Sequence, residues 1–232
     1  MRGILFLLFP LTLFAEEYQF QGGFNYSPIE PSVIQQGAQY RTQISKMVAA
    51  QAGARTALAG FSVDRMEYMG ALDFTPVPWV SWVKIHFRLN QQAILSIGSG
   101  ATDVMVSFRV EPYPFSFLGL YAEGGWFERW VALTATPLLP AISAQSMHDH
   151  DFAVRFGLNI LPVSWLRFTL SIGTIEEVLV YNFNNPFAEL RTTYMTPTWD
   201  IFGFGRYKLL LGFGQLDEFA AGVGVVFRPR VI

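Results

Sequence analysis

Four times in this chain, a run that alternates apolar and polar residues enters a short turn of proline and aromatic residues, and another alternating run leaves it. The turns are Pro76-Val77-Pro78-Trp79-Val80-Ser81, Pro112-Tyr113-Pro114-Phe115-Ser116, Pro162-Val163-Ser164-Trp165 and, more loosely, Pro197-Thr198-Trp199. Proline has no N–H to donate and a fixed φ, so it breaks a sheet ladder and suits a tight connection between strands. Tryptophan and tyrosine pair an apolar ring with a polar group, and such side chains favour the boundary between water and lipid. The corners therefore read as short turns along one rim of a membrane-spanning sheet.

Ten alternating runs surround these corners. They cover about 18–26, 66–74, 83–90, 103–111, 117–126, 151–160, 166–173, 190–194, 201–213 and 221–227. In the first, Tyr18, Phe20, Gly22, Phe24 and Tyr26 fall on one face, and Gln19, Gln21, Gly23 and Asn25 on the other. Successive side chains of a strand point to opposite faces, so each run has one apolar and one polar face. Residues 32–54 differ. They are rich in Gln and Ala and read as a long loop or a plug, with a helical turn or two in 43–54. The count is thus about ten strands, or eight if 18–26 and 189–195 are left unpaired.

Alternation alone also fits a soluble β-sandwich, which buries its apolar faces. Three features select the membrane barrel. The apolar faces carry mostly large side chains, the aromatics gather at strand ends near the corners, and the polar faces mix charges with Gly, Ser and Thr, as a narrow interior requires. Composition agrees: half the chain is apolar and only 15% is charged, against roughly 25% in soluble domains. No stretch beyond the N-terminus offers the ~20 apolar residues of a spanning helix. A net charge of −2 without basic blocks gives nucleic acid nothing to bind.

Met1-Arg2-Gly3 followed by the apolar stretch 4–14 and Ala15-Glu16 reads as a cleavable signal peptide over 1–15, ahead of a single barrel domain over 16–232. Zero Cys excludes disulfides, thiolate metal sites and a Cys nucleophile. Together, the exported N-terminus, the alternating strands, the Pro-aromatic corners and the final run Gly222 to Phe227 resemble a small outer-membrane β-barrel of Gram-negative or spirochaete type. The resemblance is to an architecture and not to one family. It implies an all-β, up-and-down antiparallel transmembrane barrel in the cell outer membrane. Its implied partners are the lipid bilayer and the barrel-assembly machinery. In such barrels the last strand usually ends in an aromatic; here Arg228-Pro229-Arg230-Val231-Ile232 follow Phe227.

The candidate lumen-facing residues are the charged and His residues of the polar faces: Glu67, Asp73, Lys84, His86, Arg88, Asp103, Arg109, Glu123, Arg155, Arg167, Arg206 and Lys208, with Glu111 and Asp151 beside them. Both signs occur in similar number, so they fill the barrel as ion pairs or line a path for a solute. Ser146-Met147-His148-Asp149-His150-Asp151 holds metal-ligand types and a Ser-His-Asp set. In an extended chain, however, His148 and His150 share a side while Asp149 points away, and the stretch reads as a solvated loop. Trp126-Phe127-Glu128-Arg129-Trp130 and the apolar residues to 142 extend the strands or fold over the opening. No metal, cofactor or catalytic set is expected. The functional expectation is a narrow channel or transporter for small or hydrophobic molecules, with a structural or adhesive barrel of closed, salt-bridged lumen as its rival.

Overall fold

The computed structural model describes residues 16–26, 33–60, 62–77, 79–95, 98–132, 147–175, 185–210 and 216–229. They form twelve strands: β1 Glu16–Tyr26, β2 Val33–Gln43, β3 Val48–Ala59, β4 Ser62–Phe74, β5 Val83–Ile94, β6 Ser99–Val110, β7 Leu118–Ala132, β8 Met147–Val163, β9 Leu166–Gly173, β10 Phe187–Met195, β11 Trp199–Leu210 and β12 Leu216–Phe227. Each pairs antiparallel with its sequence neighbours, and β1 pairs with β12, so the sheet closes. Closure leaves no unpaired edge, the condition for β structure to stand in lipid.

The count is twelve, not ten or eight. Each of the ten alternating runs forms a strand within the described residues, and 18–26 and 190–194 are paired on both sides. The two additional strands are β2 and β3, in the stretch read as a loop or plug. Their sequence hides them because the outward face carries small residues, Ala38, Ala50, Ala52 and Ala54, and the inward face carries Gln and Gly. Intrinsic preference for strand is weak here, and pairing with β1 and β4 decides the conformation. The inward face is also interlocked: a Cβ on Gly37 would stand 2.5 Å from Arg55 Cγ, so the glycine makes room for the arginine on the next strand.

The Pro-aromatic corners, the 44–47 turn and both ends of the barrel lie on one rim; the last residues of β7 and β9 and the first residues of β8 and β10 lie on the other. A girdle of aromatics surrounds the first rim: Trp79 (85% exposed), Trp82, Phe115, Trp165, Tyr194 and Trp199. Above it the outer face is apolar, with Leu72, Phe87, Leu89, Val106, Phe156, Ile172 and Ile201 all exposed. In a soluble protein such a surface would be an aggregation liability; in a bilayer it is the lipid face.

The weak alternation of 201–210 has a structural cause. Phe202 and Phe204 point inward, against glycines of β12: a Cβ on Gly224 would meet the Phe202 ring at 2.3 Å, and one on Gly222 the Phe204 ring at 2.7 Å. One further expectation is corrected: residues 147–151 belong to β8 and are not a loop. The 126–130 stretch is the upper part of β7. The signal-peptide reading of 1–15, Ser146 and most of the apolar 131–142 stretch fall outside the described residues.

Candidate functional site: the polar lumen

Inward-facing positions of the twelve strands enclose a cavity of about 480 Å³. Nine of the twelve candidate residues line it: Glu67, Asp73, Lys84, His86, Arg88, Asp103, Arg109, Arg155 and Arg167. Glu123, Arg206 and Lys208 are buried in the packed wall around it. Register brings them together in ways that sequence spacing does not reveal.

Two ion networks occupy the half of the lumen near the corners. In the first, Arg41 of β2 donates to Asp73 Oδ2 of β4 at 2.9 Å, and His86 Nδ1 of β5 lies 2.6 Å from Asp73 Oδ1. Arg41 also faces Glu17 of β1 at 3.9 Å, and Arg228 donates to Glu17 at 2.8 Å and to Asp200 of β11 at 2.6 Å. The residue just past the final aromatic thus ties together the strands that flank the closing seam. In the second network, Lys84 donates to Glu111 at 2.8 Å, Arg109 pairs with both Glu111 and Glu123, and Arg88 donates to Glu123 at 3.0 Å. Ser107 Oγ completes the Glu123 shell at 2.6 Å. Glu111 sits in the turn after β6. Its burial pushes its pKa up, but the Arg109 charge and the Lys84 hydrogen bond outweigh this and hold it below the usual carboxylate range.

The other half of the lumen is packed. Asp103 accepts two hydrogen bonds from Arg129, Nε at 2.6 Å and Nη2 at 3.0 Å. Arg206 donates twice to one oxygen of Glu189, Oε2, from Nε at 3.0 Å and from Nη2 at 2.5 Å. Arg65 is 1% exposed and Lys208 2%. Phe127 and Met105 fill the space between, with Ala153 and Ile175.

The walls of the open half differ in chemistry. From β6 to β10 run Arg109, Arg155, Arg167 and Arg191, with Tyr121 of β7 between them. The Arg109 guanidinium lies 4.5 Å above the Tyr121 ring and that of Arg155 5.5 Å. Across the barrel, on β1 to β3, stand Gln19, Gln21, Gln39 and Gln51, bonded in pairs at 3.0 and 2.6 Å. Arg167 lines the cavity without an ion pair or side-chain hydrogen bond among the described residues. Arg41, Arg55, Gln39 and Gln51 escape a sequence reading because the low contrast of alanine and glutamine hides their strands. Arg191, Glu189 and Asp200 lie on or beside alternating runs and carry no signal that sets them apart.

No family model and no curated protein matches the chain. Solved structures do. The KdgM porin, in complex with disordered oligogalacturonate, superposes with a TM-score of 0.60 at 6% identity, over 92% of this chain and 99% of its own. The architecture is that of an outer-membrane β-barrel. The NanC porin gives 0.60 at 10% identity over 91% and 100%, and an outer membrane channel from Pseudomonas putida F1 gives 0.57 at 8% over 93% and 96%. At these identities the likeness is one of fold. It covers almost the whole of each chain, so no further domain of those proteins is left unmatched.

Proposed function

We propose that this chain is a narrow outer-membrane channel whose path runs through the lumen past the arginine wall, and that it favours small polar, anionic solutes over hydrophobic ones. The observation that carries this reading is the asymmetry of the cavity. Four arginines on β6 to β10 face strands β1 to β3, where four neutral glutamines line the cavity beside Glu17, Arg41 and Arg55, and Arg167 has no ion pair among the described residues. Guanidinium groups recognise carboxylate and phosphate through fixed, paired donors, and glutamine amides supply neutral donors and acceptors for hydroxyl groups. The fold neighbour solved with oligogalacturonate is compatible with such a path. Export through the signal peptide of residues 1–15, insertion by the barrel-assembly machinery and residence in the lipid of the outer membrane belong to the same proposal.

A second reading rests on the packed half of the lumen. The buried Asp103–Arg129 and Glu189–Arg206 pairs stand above the cavity. If they close it, the barrel is a structural or adhesive one with a salt-bridged interior. Single-channel recording of the refolded chain in a planar bilayer separates the two. Steady conductance with a reversal potential set by the anion gradient supports the channel. A silent barrel that still shows the heat-dependent mobility shift of a folded one supports the closed reading.

A further inference from the structure

We propose that Glu128, His148 and His150 form a binding site for a first-row divalent cation of the zinc–copper class, on the outer surface of the barrel and apart from the lumen. Among the described residues, these are the three metal-ligating side chains that converge: their ligand atoms lie within 4.8 Å of one another. A tetrahedral zinc site with bonds of about 2.0–2.1 Å needs donor atoms about 3.3 Å apart, so side-chain rotation alone closes the gap.

The strand register builds the site. Glu128 of β7 pairs directly with His150 of β8, and Trp130 with His148, so all four project from the outer face. The rest of that face on these two strands is apolar, with Leu120, Phe152, Phe156 and Ile160 exposed. A carboxylate and two imidazoles interrupt it at one place only. His150 and His148 stand ten and twelve positions beyond Ile160, which pairs with Leu118 near the corner rim. With a rise of ~3.3 Å per residue and a tilt of ~40°, they lie about 25–30 Å above it, at or beyond the edge of an apolar band ~25 Å tall. Polar ligands there meet water, and the cost of burying them in hydrocarbon does not arise.

The surrounding side chains orient the ligands. Trp126 Nε1 donates to Glu128 Oε1 at 2.7 Å, which leaves Oε2 turned toward His148 Nε2 at 2.5 Å. The His148 ring stacks on Trp130 with centroids 5.2 Å apart, the His150 ring lies 5.2 Å from Trp126, and the two imidazoles are 5.8 Å apart. A hydrogen bond to the remaining oxygen of a ligating carboxylate is the usual outer support of a metal site. Two imidazoles and a carboxylate suit zinc or copper and leave a fourth position for water or a surface ligand. The cation would also clip the last residues of β7 to the first residues of β8.

The test is calorimetric titration of the detergent-folded full chain with zinc chloride at pH 7.5, and fluorescence titration with copper(II) chloride. The expected result is one zinc ion per chain. His148→Ala, His150→Ala and Glu128→Gln should each weaken binding tenfold or more. Trp126→Phe, which removes the supporting hydrogen bond and keeps an aromatic ring beside His150, should weaken it about tenfold. Copper should quench at most about a third of the tryptophan emission, because two of the six tryptophans touch the site and Trp79, Trp82, Trp165 and Trp199 lie near the corner rim. Lowering the pH to 5 should release zinc from the unaltered chain, since protons compete for the imidazoles; this arm needs no variant to fold. Absence of binding to the unaltered chain overturns the proposal. So does unchanged affinity in the His148→Ala/His150→Ala double variant, in which His86 alone remains.

Discussion

Reversing the charge of Arg167 is the sharpest probe of the lumen, because this arginine lines the cavity and has, among the described residues, no ion-pair partner whose loss would confuse the result. Arg167→Glu changes the local charge by two units. For an ion about 8 Å from the guanidinium, Coulomb's law in water gives roughly 1 kcal/mol for that change. Screening at 0.15 M salt, where the Debye length is about 8 Å, reduces it to about 0.4 kcal/mol. The sign is opposite for anion and cation, so the permeability ratio should shift by about 0.8 kcal/mol, or fourfold toward cations. At 0.01 M salt, with a Debye length of about 30 Å, the same arithmetic gives about 1.6 kcal/mol, or roughly fifteenfold. The assay is the reversal potential in a salt gradient across a planar bilayer, with Arg167→Gln expected to show about half the shift in free energy. A conducting barrel whose permeability ratio is the same in all three proteins, at both salt concentrations, refutes a path past the arginine wall.

Other outcomes follow from the geometry. Arg129→Ala leaves Asp103 buried and uncompensated and should cost about 3–5 kcal/mol in a urea unfolding experiment in lipid vesicles, with much of this recovered in Arg129→Met/Asp103→Leu. Gly125→Ala places a Cβ 2.5 Å from the Val106 carbonyl oxygen and from Ser107 Cβ, and should lower the fraction that reaches the folded gel mobility, whereas Gly205→Ala, with open space around it, should not. Arg228→Ala unties Glu17 from Asp200 at the seam. Because the arginine is partly exposed, the loss should be modest, about 1 kcal/mol, read as a lower midpoint of the thermal mobility shift. Glu111 keeps its charge until the pH falls below the usual carboxylate range. Anion preference should therefore rise only when acidification passes below the usual carboxylate range, and Glu111→Gln should show the raised preference already at neutral pH.

The strand face of a residue was legible throughout the strong runs. Phe87 and Leu89 look outward while His86 and Arg88 look inward, as a period of two demands. The corners were legible because proline forbids a ladder at those positions. Strands β2 and β3 were not, because alanine and glutamine differ too little in hydrophobicity to mark two faces. Nor was the pairing of charges. Glu123 meets Arg88 of the second strand before it, and Arg228 meets Glu17 at the far end of the chain.

The sequence by itself determined that this is a β chain whose strands carry one apolar and one polar face, because alternation and proline act locally. The tertiary structure decided the number of strands, since closure recruits segments of weak preference into the ladder. It decided which half of the lumen is open and which is packed, since glycines give way to the rings and guanidinium groups of neighbouring strands. It also decided that Glu128 meets two histidines. The sequence places His148 and His150 on one side, but only the register of β7 against β8 brings the carboxylate to them.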